Sequence, residues 1–352
     1  MKLLATASAA IVAFGLAACG GKSDSGSGDT GGAKKTVKVG LAYDIGGRGD
    51  KSFNDAAAAG LEKAKSELDI QTRELEANKD ETDNDKYSRL KLLCDGGYNP
   101  VIAVGFAYAG DATTGPMARA AKDCPNTHFA IVDDASVKQP NLANLTFAEE
   151  QGSFLVGAAA ALKSKTGSVG FVGGCLVDLI KKFEAGYTAG AKAVNPNIKV
   201  NINYLSTVAD KCSGFNDPAK GQTAAEGLYD GGADVVYQAA GGSGTGVFKA
   251  AKNKGKMAIG VDSDQYNTVT PELKDVIITS MLKRVDTAVY QFVKDQGEGK
   301  FTAGETIFDL KADGVGYSTS GGKIDDIKSK LDDYKQQIID KKITVPTKPA
   351  TG

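Results

Sequence analysis

Tryptophan is absent from this 352-residue chain, and His128 is its only histidine. A lone histidine at the start of an apolar stretch reads as structural, because triads and metal centres need partners arranged around it. Neither sign of charge is in excess: 42 Lys and Arg stand against 43 Asp and Glu, a formal net charge of −1. That balance leaves no electrostatic footprint for nucleic acid. No Cys-x-x-Cys pair occurs, which argues against zinc. After residue 16 no apolar run is long enough to cross a bilayer.

What is present begins at the N-terminus. Lys2 precedes an Ala-rich apolar run, Leu3 to Leu16, broken only by Thr6, Ser8 and Gly15. The run is too short for a mature spanning helix and reads as the core of a signal peptide over residues 1–18. It ends in Leu16-Ala17-Ala18-Cys19, which resembles a bacterial lipobox. Cys19 is therefore expected to carry a diacylglyceryl group and to become the first mature residue. Residues 19–36 are Gly, Ser, Asp, Thr and Lys with almost nothing apolar, the composition of a flexible tether. Lipid on Cys19 would then be the membrane anchor, on the extracytoplasmic face.

Four cysteines remain: Cys94, Cys124, Cys175 and Cys212. An exported chain sits where disulfides persist. Of the three possible pairings, Cys94–Cys124 with Cys175–Cys212 is favoured, because each joins neighbouring strand–helix units.

The body reads as alternating strands and helices. Strands are expected at 37–43, 71–77, 100–106, 128–133 and 142–147, then at 168–173, 199–205, 234–239, 257–261, 276–281 and 306–310. Helices are expected at 52–68, 85–95, 109–122, 150–163, 179–193, 219–229, 246–254, 285–296 and 324–339. Ser52 reads as the cap of the first helix, with Asp55 completing a capping box. This order implies α/β architecture: two doubly wound parallel-sheet lobes joined by a hinge. The expected lobes are 37–147 with 283–311, and 148–282 with 312–345, leaving 346–352 as a loose tail. The chain would cross between lobes near Phe147, Lys283 and Leu310. Ligands of such sheets bind beyond the carboxyl ends of strands, so the residues just after each strand are the candidates.

Several of those strand ends are distinctive. Asp44-Ile-Gly-Gly-Arg-Gly-Asp-Lys-Ser-Phe-Asn54, Lys182-Phe-Glu-Ala-Gly-Tyr187, Phe215-Asn-Asp-Pro-Ala-Lys-Gly221, Ala240-Gly-Gly-Ser-Gly-Thr-Gly-Val247, Gly260-Val-Asp-Ser-Asp-Gln265 and Ser280-Met-Leu-Lys-Arg-Val-Asp286 resemble the motifs of the basic membrane protein family, the purine nucleoside receptor-like lipoproteins. The resemblance implies the type I periplasmic-binding-protein fold and a role as the substrate-binding component of an ABC importer. The expected partners are a purine nucleoside (adenosine, guanosine or inosine) and a permease complex; a monomer without cofactor or metal is expected. The resemblance also implies roles. Phe53 and Phe215 would sandwich the base, with Phe183 a second candidate for the far side. Asp44 and Asp133 would accept from base N–H groups, since ionised carboxylates only accept. Asp262 and Lys283 would hold ribose hydroxyls, and Gly241 and Gly242 would let backbone amides approach the sugar. Ser52 and Asn54, in the first motif, count as ligand contacts too. A sugar binder of the same fold, or a sensor without transport, are the alternatives. An enzyme is not expected: Gly241 to Gly246 lacks the Lys-[Ser/Thr] of a P-loop and the GxGxxG order, and no metal-ligand cluster is legible.

Overall fold

The structure is a computed structural model that describes residues 36–78 and 80–350. The expected signal peptide, Cys19 and nearly all of the expected tether lie outside the described residues. Thr36–Gly352 forms one compact unit.

In chain order the elements are β1 (Val37–Ala42), α1 (Phe53–Glu67), β2 (Ile70–Leu75), α2 (Asp83–Asp95), β3 (Val101–Ala103), α3 (Pro116–Asp123), β4 (Phe129–Val132), β5 (Leu142–Phe147) and α4 (Glu149–Lys163). There follow β6 (Ser168–Gly173), α5 (Asp178–Val194), β7 (Lys199–Tyr204), α6 (Pro218–Asp230), β8 (Val235–Ala239), α7 (Gly244–Lys254) and β9 (Met257–Asp262). The chain ends with α8 (Gln265–Thr268), α9 (Pro271–Lys274), β10 (Ile277–Lys283), α10 (Val285–Gly297), β11 (Gly304–Phe308), β12 (Val315–Tyr317) and α11 (Lys328–Ile339).

The strands form two six-stranded sheets of matching topology, ordered β11-β5-β4-β3-β1-β2 and β12-β10-β9-β8-β6-β7. Every pairing is parallel except β12 against β10. Strands β3, β4 and β5 are buried at every position, as strands covered on both faces must be. The two-lobed α/β architecture is thus the expected one. Three segments run from one sheet to the other: β5 to α4, β10 to α10, and β11 to β12. In each sheet the strand order reverses beside the first strand, between β1 and β3 in one lobe and β6 and β8 in the other. Those crevices are where doubly wound sheets take ligands.

Two local expectations need correction. Residues 109–115 are not helical. Asp111 accepts from the backbone N–H groups of Thr113 and Thr114 and from both hydroxyls, and such local bonds compete with helix formation. The helix starts instead at Pro116, whose missing N–H costs nothing in a first turn. The Ser52 hydroxyl makes no capping bond to α1. Asp50 does that work, accepting from the N–H groups of Ser52, Asn54 and Asp55, while Asp55 accepts from Gly49 and Lys51. Leu331 packs in the second lobe's core, and Ile338 and Val345 join a cluster that draws on both lobes, combining β1, β4 and β5 with Phe154 of α4 and Val315 of β12.

Both expected disulfides are present. Cys94–Cys124 ties the end of α2 to the end of α3, and Cys175–Cys212 ties the loop after β6 to the turn that carries Phe215. Among the described residues no helix is long and apolar enough to cross a membrane.

Candidate functional site

A cavity lies between the lobes, at the carboxyl ends of both sheets. It holds about 550 Å³ of non-atom space, the open mouth included. Nine of the residues expected at a ligand line it: Asp44, Phe53, Asn54, Asp133, Phe183, Phe215, Gly241, Asp262 and Lys283. Ser52 and Gly242 do not. Ser52 is fully buried behind the wall, its hydroxyl donating to Asp262 Oδ2 at 2.5 Å. Gly242 packs beside Asn216 and Asp50.

Each lobe contributes through its strand ends. Asp44 follows β1, and its backbone N–H donates to Asn54 Oδ1 at 3.1 Å. Asp44 Oδ1 accepts from the N–H of Ile45 at 2.7 Å, which leaves Oδ2 for another donor. Gly105, after β3, makes room for that carboxylate. Its φ is +111°, and a Cβ there would sit 2.1 Å from Asp44 Oδ2. Gly105→Ala should therefore displace Asp44 and cost about 1–3 kcal/mol in strain; urea unfolding gives the loss, and an unchanged midpoint would refute it.

Asp133 and Asp262 close β4 and β9 in equivalent ways. Both take left-handed backbone conformations, φ 69° and 62°. These conformations are unfavourable for residues other than glycine and persist only where the surroundings impose them.

Lys283 sits at the end of β10, where the chain leaves for the first lobe, with a side chain 2 % exposed. Its Nζ lies 2.6 Å from Asp133 Oδ2 and 3.1 Å from Glu149 Oε1. The second contact is an ion pair without hydrogen-bond alignment, so Glu149 Oε1 has no hydrogen-bond donor. The rings of Phe53, Phe147 and Phe183 surround the ammonium, with centroids 5.2, 5.1 and 5.4 Å away. Rings at this range attract a desolvated cation. Lys283 thus joins the lobes electrostatically, because Asp133 belongs to one sheet's end and Lys283 to the other's.

Burial decides the charge states. Desolvation pushes Asp44 and Asp262 up to about 7. For Asp44 the N–H of Ile45 opposes that rise, and for Asp262 the charge of Lys283 does. Asp133 is also raised by burial, against the pull of Lys283. Burial alone would lower Lys283, but Asp133, Glu149 and Asp262 outweigh it and hold the ammonium charged. Asp133 Oδ1 is buried and unpartnered, and its residue lines the cavity. The open polar positions are therefore carboxylate oxygens, and the walls are aromatic and aliphatic. Such a site suits a flat, uncharged ligand rich in N–H and O–H donors.

Sequence reasoning passed over Ile45, Asp50, Phe106, Leu179, Ile180, Ala239 and Val261, which also line the cavity. Phe106 was findable, since it lies three residues past the end of β3; its ring meets Phe215 edge-on at 6.4 Å. Leu179 and Ile180 open α5, a helix start rather than a strand end.

Comparison with known proteins agrees with this geometry. A family described as "ABC transporter substrate-binding protein PnrA-like" matches residues 36–349. A protein named CD4+ T-cell-stimulating antigen, from Listeria monocytogenes, is 36 % identical over 99 % of both chains. The ABC transporter nucleoside-binding protein BmpA of Lactococcus lactis is 36 % identical, covering 98 % of this chain and 97 % of its own. Among solved structures, an ABC transporter solute-binding protein from Aeropyrum pernix K1 superposes with TM-score 0.75 at 28 % identity, over 90 % of this chain and 94 % of that one. A two-lobed body with a cavity between the carboxyl ends of its two sheets is what such proteins need, and this chain belongs to the PnrA-like (Bmp) family of ABC transporter substrate-binding proteins, which are not enzymes.

Proposed function

We propose that the chain captures a purine nucleoside between its lobes and delivers it to an ABC permease, while lipid on Cys19 holds it as a monomer at the outer face of the cell membrane. The observation that carries this reading is the cavity wall: Phe53, Phe183 and Phe215 offer aromatic faces, and Asp44, Asp133 and Asp262 offer acceptors. A purine fits between rings, and its N–H groups and the ribose hydroxyls supply donors. The L. lactis relative's name points to the same ligand class. Phe53 and Phe215 stand on opposite lobes, on α1 and in the turn after β7. The roles of Asp44, Asn54 and Asp133 are to read the base, and those of Asp262, Lys283 and Gly241 to hold the sugar. Ligand enters when the lobes part at their three crossings and is sealed from water when they close.

Calorimetry with adenosine, guanosine and inosine against free pentoses and hexoses tests the ligand. At least one nucleoside should bind, and the sugars should give no heat. Sugar binding without nucleoside binding would replace this reading with that of a sugar receptor.

A further inference from the structure

The loop between β1 and α1 is bonded to the loop after β9 by contacts that need no ligand. The Ser52 hydroxyl donates to Asp262 Oδ2 at 2.5 Å. The Ser263 hydroxyl donates back to the Ser52 carbonyl at 3.1 Å. Gln265 Nε2 donates to the Lys51 carbonyl at 2.9 Å. All three join the first lobe to the second. Further out, Lys211 Nζ donates to the Asp80 carbonyl at 2.8 Å across the rim.

The second lobe holds its half of this contact rigidly. Gln265 is 1 % exposed. Its Oε1 accepts from Gln238 Nε2 at 2.7 Å and from the Val261 N–H at 2.9 Å. Its own N–H donates to Ser280 Oγ at 3.1 Å. Gly260 leaves the space for it, since a Cβ there would fall 2.7 Å from Gln265 Oε1. Three strands, β8, β9 and β10, thereby aim one amide at the other lobe's main chain. The Ser52 and Ser263 hydroxyls, by contrast, have only cross-lobe partners among the described residues.

We infer that Ser52, Ser263 and Gln265, with Asp262, form a latch that holds the lobes shut before ligand arrives. Ser52, Ser263 and Gln265 do not line the cavity. They are positioning residues, setting affinity through the fraction of molecules closed around the site. A protein already biased toward its binding-competent state binds more tightly, in proportion to that fraction. Asp262 links the latch to the cavity, which it lines while one oxygen bonds Ser52. A donor on its remaining oxygen would fix the carboxylate in the orientation that Ser52 needs.

Removing the two hydroxyls leaves every bond within each lobe intact, so Ser52→Ala/Ser263→Ala isolates the latch. The full chain is stripped of carried ligand by unfolding and refolding, then compared with the variant by small-angle scattering. The ligand-free wild type should be compact, and the ligand-free variant should show a larger radius of gyration with an unchanged melting temperature. A ligand-free wild type already as open as the variant would overturn the latch. So would a variant as compact as the wild type. Nucleoside affinity should fall at least tenfold in the variant. The affinity arm presupposes the proposed ligand and the scattering arm does not, so failure of all nucleosides to bind would sink that reading while the latch stood or fell on scattering alone.

Discussion

Lys283→Met should cost about 3–5 kcal/mol of stability at neutral pH, the range found when one partner of a buried ion pair is removed. Methionine fills most of the lysine's volume, so little of the loss is cavity. The cost comes from what remains: Asp133 and Glu149, both buried, would face three aromatic rings, and Lys182, 3.3 Å from Glu149 Oε2, would be left to serve Glu149. Asp133 would lose its ion-pair partner, and burial beside the Glu149 carboxylate would favour its taking up a proton. The deficit should therefore depend on pH. In the variant, the folded-state pKa of Asp133, already raised by burial, rises further above the unfolded value. Stability is then present at low pH and lost as pH rises through the folded pKa. Urea titrations at pH 5.5 and pH 8 should show a clearly larger deficit at pH 8. The double variant Lys283→Met/Asp133→Asn should recover part of it. Equal deficits at both pH values, with no recovery, would mean that Lys283 acts through packing alone.

The same cluster marks the limit of what could be read from the chain as a string. Alternation of strands and helices is local, and so the two-lobed sheet order was legible. The places where ligand-facing residues fall follow from it, because the carboxyl ends of doubly wound strands converge. That is why Asp44, Asp133, Gly241 and Asp262 could be singled out without coordinates. Pairings between distant positions carry no such signal. The ion pairs of Lys283 with Asp133 and Glu149, 150 and 134 residues away, leave no trace in the local sequence. Ser52 reads as a helix cap because Ser-x-x-Asp is the local pattern. Its hydroxyl instead reaches Asp262, 210 residues on, and Asp50 caps α1 in its place. The stretch after β3 misled for another reason. Its composition suits a helix, but one aspartate with two threonines offers the backbone a competing set of bonds.

Affinity for the nucleoside should fall steeply as pH drops from 8 to 6, by up to about 100-fold. Asp44 and Asp262 both titrate at about 7 in the empty site. On the proposed reading each accepts a hydrogen bond from the ligand, which only the ionised form does with both oxygens. One pH unit below the pKa leaves about a tenth of a group ionised, so each carboxylate contributes close to tenfold over this range. Binding should also release protons near pH 7, measurable by calorimetry in buffers of different ionisation enthalpy. Stability of the empty protein should move the opposite way. The folded-state pKa values lie above the unfolded value of about 3.9, so the folded form binds more protons between those limits. Its stability is fully present at low pH and declines as pH rises through 7. Glu150, lifted by burial to about 7 at the start of α4, adds in the same direction. Opposite slopes for affinity and stability are a signature that general acid unfolding cannot produce. If affinity stayed level between pH 8 and pH 6, Asp44 and Asp262 would not be the acceptors that hold the ligand. If affinity rose in acid, the two would act as neutral carboxyl donors, and the ligand's groups facing them would be acceptors.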